Sequence, residues 1–140
     1  MSYREAATEA PLLLFATYVL ALDRATGQER WKYETGHKSV LRFVIDGERV
    51  FVYDEATVLH CIAIADGRRL GAVALNLGYG ANMMLDAGTL YITGDRDIVA
   101  LDRDGRVLWK KPIAFNRGFS LCGLAVPGGN STQPDYATTR

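Results

Sequence analysis

Neither sign of charge predominates in this sequence: 16 lysines and arginines are matched by 16 aspartates and glutamates, and the formal charge is zero. A nucleic-acid partner is not expected, because such proteins present a basic stripe that displaces counterions from phosphates. Cysteine is scarce. Cys61 and Cys122 are too few and too far apart for a disulfide framework or a CxxC metal site, so both read as core thiols in a reducing compartment. Long apolar runs are missing as well. Leu12–Leu22 is too short to span a bilayer, and the acidic Glu5 and Glu9 before it are wrong for an export signal. The expectation is a cytoplasmic protein with no membrane contact. The 140 residues are 49% hydrophobic and 23% charged, an ordinary globular balance.

What the sequence does have is a period. Ala21-Leu22-Asp23-Arg24-Ala25-Thr26-Gly27, Ala63-Ile64-Ala65-Asp66-Gly67 and Ala100-Leu101-Asp102-Arg103-Asp104-Gly105 recur about forty residues apart. Asp46-Gly47, Ala87-Gly88 and Pro127-Gly128 keep the same spacing, as do Thr35-Gly36-His37, Leu77-Gly78-Tyr79 and Arg117-Gly118-Phe119. Three turn positions therefore share one repeat length. Between the turns lie short runs rich in Val, Ile, Leu, Tyr and Phe, which is strand chemistry.

These runs predict twelve strands. Three are near Leu12–Phe15, Tyr18–Leu22 and Gln28–Glu34, and four near Ser39–Val44, Glu48–Tyr53, Thr57–Ile64 and Arg68–Leu75. Four more are near Asn82–Leu85, Thr89–Thr93, Asp97–Leu101 and Arg106–Lys111, and one covers Ser120–Val126. A short helix over Ser2–Ala10 is the only helical candidate. A four-stranded unit of this length is a propeller blade, so the fold class is all-β. With strands lettered A to D from the centre outward, the order is BCD-ABCD-ABCD-A. Residues 1–11 then form an N-terminal extension, 12–128 a half-propeller, and 129–140 a polar, flexible tail.

The segment from Ala21 to Trp31 resembles the tryptophan-docking repeat of the quinoprotein (PQQ)-like β-propellers, Ala-x-Asp-x-x-Thr-Gly-x-x-x-Trp. Ala100–Trp109 is similar with one residue deleted in the turn. The resemblance implies that Trp31 and Trp109 dock one blade onto the next. The middle repeat departs from the pattern, with Gly71 at the tryptophan position beside Leu70, which implies weaker docking there.

Propellers ordinarily close with four to eight blades. Three twisted sheets cannot encircle an axis, and their open edges would invite aggregation. A twofold homodimer resolves this: Ser120–Val126 of one chain completes the blade begun by Leu12–Glu34 of the other, giving a six-bladed ring.

No catalytic constellation is expected. His60 and Cys61 are neighbours on a strand and point to opposite faces, so they cannot form a nucleophile–base pair. Asp95-Arg96-Asp97 and Asp102-Arg103-Asp104-Gly105 alternate carboxylates, but they read as hydrogen-bonded turns lacking the ligand run of a calcium loop. No phosphate loop, HExxH or GxSxG motif occurs. The PQQ-dependent dehydrogenases that share the blade motif are longer, with a calcium site and a catalytic aspartate, so the resemblance carries no activity, cofactor or metal across.

The remaining functional surface is the set of D-to-A connections, which should emerge together around the axis. They carry His37, Lys38, Tyr79, Asn82, Asn116, Arg117 and Phe119, a mixture suited to a protein or peptide partner. Arg42, Met84 and Cys122 are candidates to line the channel below. The leading expectation is a non-enzymatic protein-binding or scaffold module. The alternatives are a small-ligand or enzymatic site formed only at the dimer axis, and a purely structural oligomerisation piece.

Overall fold

The alternation of apolar residues between glycine turns folds into consecutive antiparallel meanders. The computed structural model describes residues 9–78, 82–113 and 123–132. Strands β1 (Leu12–Phe15), β2 (Tyr18–Leu22) and β3 (Glu29–Glu34) form a three-stranded sheet in chain order. Strands β4 (Val40–Asp46), β5 (Arg49–Asp54), β6 (Val58–Ala63) and β7 (Arg69–Ala74) form the next sheet. Strands β8 (Asn82–Asp86), β9 (Thr89–Thr93), β10 (Asp97–Leu101) and β11 (Val107–Pro112) form the third. A hairpin of β12 (Leu124–Ala125) and β13 (Ser131–Thr132) follows. No described residue is helical. The helix expected over Ser2–Ala10 lies, apart from its last two residues, outside the described residues.

The repeat is structural as well as textual. In each sheet the pairing of the last two strands slips at the same point: Ala21/Leu22, Cys61/Ile62 and Ala100/Leu101. The β8–β9 turn runs through Ala87 at φ 48° and Gly88 at φ 82°, the left-handed pair that a two-residue hairpin requires.

Strand β5 shows why the sheets stack. Its alternate residues serve two different cores, so nearly the whole strand is buried. Val50 and Val52 join Val19, Ala21, Trp31 and Ile62 in the seam between the first and second sheets. Phe51 and Tyr53 join Leu59, Leu75, Leu77, Met83, Leu90, Ile92, Val99 and Leu101 in the seam between the second and third. The inner strands β4 and β8 lie side by side.

The chain does not stop pairing at Pro127-Gly128, as the sequence had suggested. Gly128 turns at φ 81°, and Leu124 and Ala125 pair with Thr132 and Ser131. Asn130 anchors the hairpin to the preceding sheet: its backbone N–H donates to Asp86 Oδ1 at 2.9 Å and its side-chain amide to the Leu85 carbonyl. Of the polar tail expected over 129–140, Asn130, Ser131 and Thr132 are held by these hydrogen bonds, and residues 133–140 lie outside the described residues. Of the strand expected over Ser120–Val126, residues 120–122 lie outside the described residues.

Candidate functional site

Each docking position can be compared across the seams. Trp31 sits on outer strand β3, paired with Ala21, and only 8% of it remains exposed. Its Nε1–H donates to the Ile64 carbonyl of the second sheet at 2.8 Å. Its ring lies on Gly67, where an added Cβ would come within 2.6 Å of Cδ2. The indole thus bridges two sheets with one hydrogen bond and one glycine floor. Trp109, on outer strand β11, is 46% exposed and tilts against Tyr91 at a centroid distance of 6.4 Å.

Beneath Trp31 runs a polar chain that the sequence did not reveal. Tyr33 on β3 places its hydroxyl 2.8 Å from Nδ1 of His60 on β6, and His60 Nε2 lies 2.7 Å from Asp54 Oδ2. An ionised Asp54 accepts the Nε2–H, leaving Nδ1 of the neutral ring to accept from Tyr33. The other carboxylate oxygen of Asp54 accepts the N–H groups of Ala56 and Val58 at 2.9 and 3.1 Å. Burial pushes the Tyr33 phenol up, partly opposed by the nearby Arg69 guanidinium. Asp54 and His60 are both buried, and their polar atoms are spent inside the protein.

On the other seam, Asp46 at the end of β4 takes a two-point contact from Arg103, with Nε at 2.8 Å and the second nitrogen at 2.9 Å. Arg103, with Arg49 at 3.5 Å, holds the Asp46 carboxyl below the usual carboxylate range. The turn aspartates behave similarly. Arg30 and the Ala25 and Thr26 N–H groups lower Asp23, and the Arg106 and Asp104 N–H groups lower Asp102. Their oxygens face their own turns. Among the described residues, no group of three or more His, Cys, Asp or Glu is placed to hold a metal ion.

The connections expected to form the binding face are only partly described. His37 and Lys38 are exposed and follow Gly36 through two consecutive left-handed positions, at φ 68° and 65°. Asn82 is buried at the start of β8, where its Oδ1 accepts the Met83 N–H at 3.0 Å. Met84 is buried, and Arg42 is half-buried with one guanidinium nitrogen donating to the Leu41 carbonyl at 2.7 Å. Tyr79, Asn116, Arg117, Phe119 and Cys122 lie outside the described residues.

An apolar groove of about 930 Å³ opens beside β1, between the first and second sheets. Phe43 and Ile45, on the face of β4 toward it, are 51% and 53% exposed, and Phe15 stacks on Phe43 with centroids 3.9 Å apart. Among the described residues β1 pairs only with β2, so its outer edge carries unpaired backbone groups.

Four-stranded antiparallel meanders, stacked face to face with inner strands adjacent and outer strands docking across the seams, define a segment of a β-propeller. The chain belongs to the PQQ-like propeller family described as outer membrane protein assembly factor BamB, whose model matches residues 16–114. The crystal structure of BamB from Moraxella catarrhalis is 28% identical, covers 83% of this chain and 37% of its own, and superposes with a TM-score of 0.63. Two further structures share the fold alone. The quinohemoprotein alcohol dehydrogenase of Comamonas testosteroni is 18% identical over 74% of this chain and 19% of its own, with a TM-score of 0.60. The WD40 domain of Toxoplasma gondii coronin is 12% identical over 83% of this chain and 34% of its own, also at 0.60. This chain therefore spans little more than a third of the BamB structure it matches. A comparison with curated proteins returned no match.

Proposed function

We propose that this chain is a non-enzymatic, protein-binding scaffold built from PQQ-like blades, and that it closes its ring as a homodimer. The observation that carries the reading is the groove beside β1. It combines an unpaired strand edge with Phe43 and Ile45 laid open at the position of an innermost strand. An added strand would gain main-chain hydrogen bonds from β1 and apolar contact from β4, the combination that drives strand addition. The strand proposed to fill it is Ser120–Val126 of a second copy, which completes the blade begun by Leu12–Glu34 and exchanges the short pairing of Leu124 and Ala125 with Thr132 and Ser131 for pairing with β1. The face proposed to bind other proteins carries His37 and Lys38, with Tyr79, Asn82, Asn116, Arg117 and Phe119 as further candidates and Arg42, Met84 and Cys122 toward the channel. Kinship to a protein described as an outer membrane protein assembly factor supports a protein partner. Absence of enzymatic activity is proposed on the internal use of Asp54, His60, Asp23 and Asp102, whose polar atoms are engaged within the fold.

Light scattering behind a sizing column tests the assembly. A dimer has twice the 15.4 kDa chain mass, and Phe43→Asp should return it to a single chain. A wild-type mass of one chain at micromolar concentration would remove the homodimer from the reading. A cytoplasmic location, proposed from the acidic residues before Leu12, predicts recovery of the native protein in the cytosolic fraction.

A further inference from the structure

The second seam repeats the first with one side chain taken away. Gly71 on β7 pairs with Cys61 as Trp31 pairs with Ala21, and the glycine floor is kept at Gly105. At Gly67 an added Cβ would strike the indole, whereas at Gly71 and Gly105 it would meet nothing within 4 Å. A groove of about 430 Å³ results, walled by Leu59, Cys61, Leu70 and Val73, with Arg49 and Asp104 paired at 3.8 Å on its rim.

We propose that this groove receives a tryptophan side chain from a partner polypeptide, which takes the place the chain's own indole holds in the first seam. The preference for indole follows from the repeat: the place that Trp31 fills in the first seam is open here, with Leu59, Leu70 and Val73 as apolar walls, the Arg49–Asp104 pair on a polar rim and a glycine floor at Gly105 that admits a ring face. The preference for a polypeptide follows from β7. That strand pairs only with β6 among the described residues, and it borders the groove through Leu70, Gly71, Ala72 and Val73. A partner strand can bond along its free edge while its tryptophan enters the slot. A free indole compound would have the slot alone. This inference does not depend on the homodimer, which uses the opposite side of the second sheet.

Titration calorimetry with a capped, extended five-residue peptide carrying a central tryptophan tests it. The peptide should bind saturably, and at least about tenfold more tightly than either its central-alanine counterpart or N-acetyltryptophanamide. Gly71→Trp should fill the slot from within, raise the thermal midpoint and weaken the peptide at least about tenfold. Gly71→Val, which suits a strand and blocks the same space, provides the check if the tryptophan variant does not fold. In a Cys122→Ser background, bound peptide should slow maleimide labelling of Cys61. Equal binding of the alanine peptide, or unchanged binding to both blocked variants, overturns the site. Equal affinity for N-acetyltryptophanamide and the peptide overturns the assignment to a polypeptide.

Discussion

Gly27, Gly67 and Gly105 occupy one repeat position in three surroundings, so replacing each by alanine separates backbone strain from docking. Their φ angles are 76°, 76° and 83°, so the left-handed penalty of about 1–2 kcal/mol should be common to all three. Only Gly67 lies under the Trp31 ring, where the methyl carbon of an alanine would fall 2.6 to 2.8 Å from three indole carbons. Relieving that overlap forces the indole off its Ile64 hydrogen bond or off its rotamer, at a further cost of about 1–3 kcal/mol. Gly67→Ala should therefore be the most destabilising of the three by about that margin, as measured by urea midpoints at constant m-value. In a Trp31→Ala background, itself costing about 3–5 kcal/mol, the excess should vanish. Equal losses at Gly27, Gly67 and Gly105, or an excess that survives removal of Trp31, would refute the docking account.

Other perturbations probe different parts of the molecule. His60→Ala deprives the buried Asp54 carboxylate of its imidazole donor and should cost about 2–3 kcal/mol by chemical denaturation; a loss below about 0.5 kcal/mol would mean the relay adds nothing. Asp23, Asp46 and Asp102 have carboxyls held below their ordinary values, so the folded state binds fewer protons than the unfolded chain near pH 4. Their contribution is complete above the unfolded pKa of about 3.9 and is lost as pH falls through the lower folded values. Thermal midpoints measured from pH 6 downward should accordingly hold until about pH 4.5 and then drop, with a shallower drop in Asp46→Asn.

Architecture was the legible part of this sequence. Left-handed turns demand glycine or a close substitute, and Gly27, Gly47, Gly67, Gly88, Gly105 and Gly128 mark the turns wherever the period places them. Strand limits followed within a residue or two because the runs between the turns are β-branched and aromatic. The binding face was less legible. Asn82 begins β8, as expected of the strand over Asn82–Leu85, but it is buried with its Oδ1 accepting the Met83 N–H, and sequence does not say toward which side the first residue of a strand turns its amide. The Tyr33–His60–Asp54 relay was also hidden. Tyr33 and His60 are 27 positions apart and meet only once two sheets are stacked at a particular offset. The Asp46–Arg103 contact, across 57 positions, was hidden for the same reason.

Loss of the docking tryptophan at Gly71 raises the question of what holds the second seam. Two candidates stand out: the contact of Arg103 with Asp46, and the apolar cluster around Phe51 and Leu101. The ion pair has good geometry, but Arg103 is more than half exposed, where solvent screening and side-chain entropy cancel most of its attraction. Among the described residues the cluster joins ten buried residues where the first seam joins six, and it includes the large side chains of Phe51, Tyr53, Leu90 and Leu101. Buried apolar area should therefore dominate. Phe51→Ala is expected to cost about 3–5 kcal/mol and to unfold the second and third sheets together, whereas Arg103→Met should cost no more than about 1 kcal/mol by urea midpoint. If Arg103→Met instead loosened the seam while Phe51→Ala was tolerated, the seam would depend on its ion pair. A seam held by its core can leave the slot at Gly71 open without loss of closure, and that makes an indole from outside the chain an addition to the fold and not a repair.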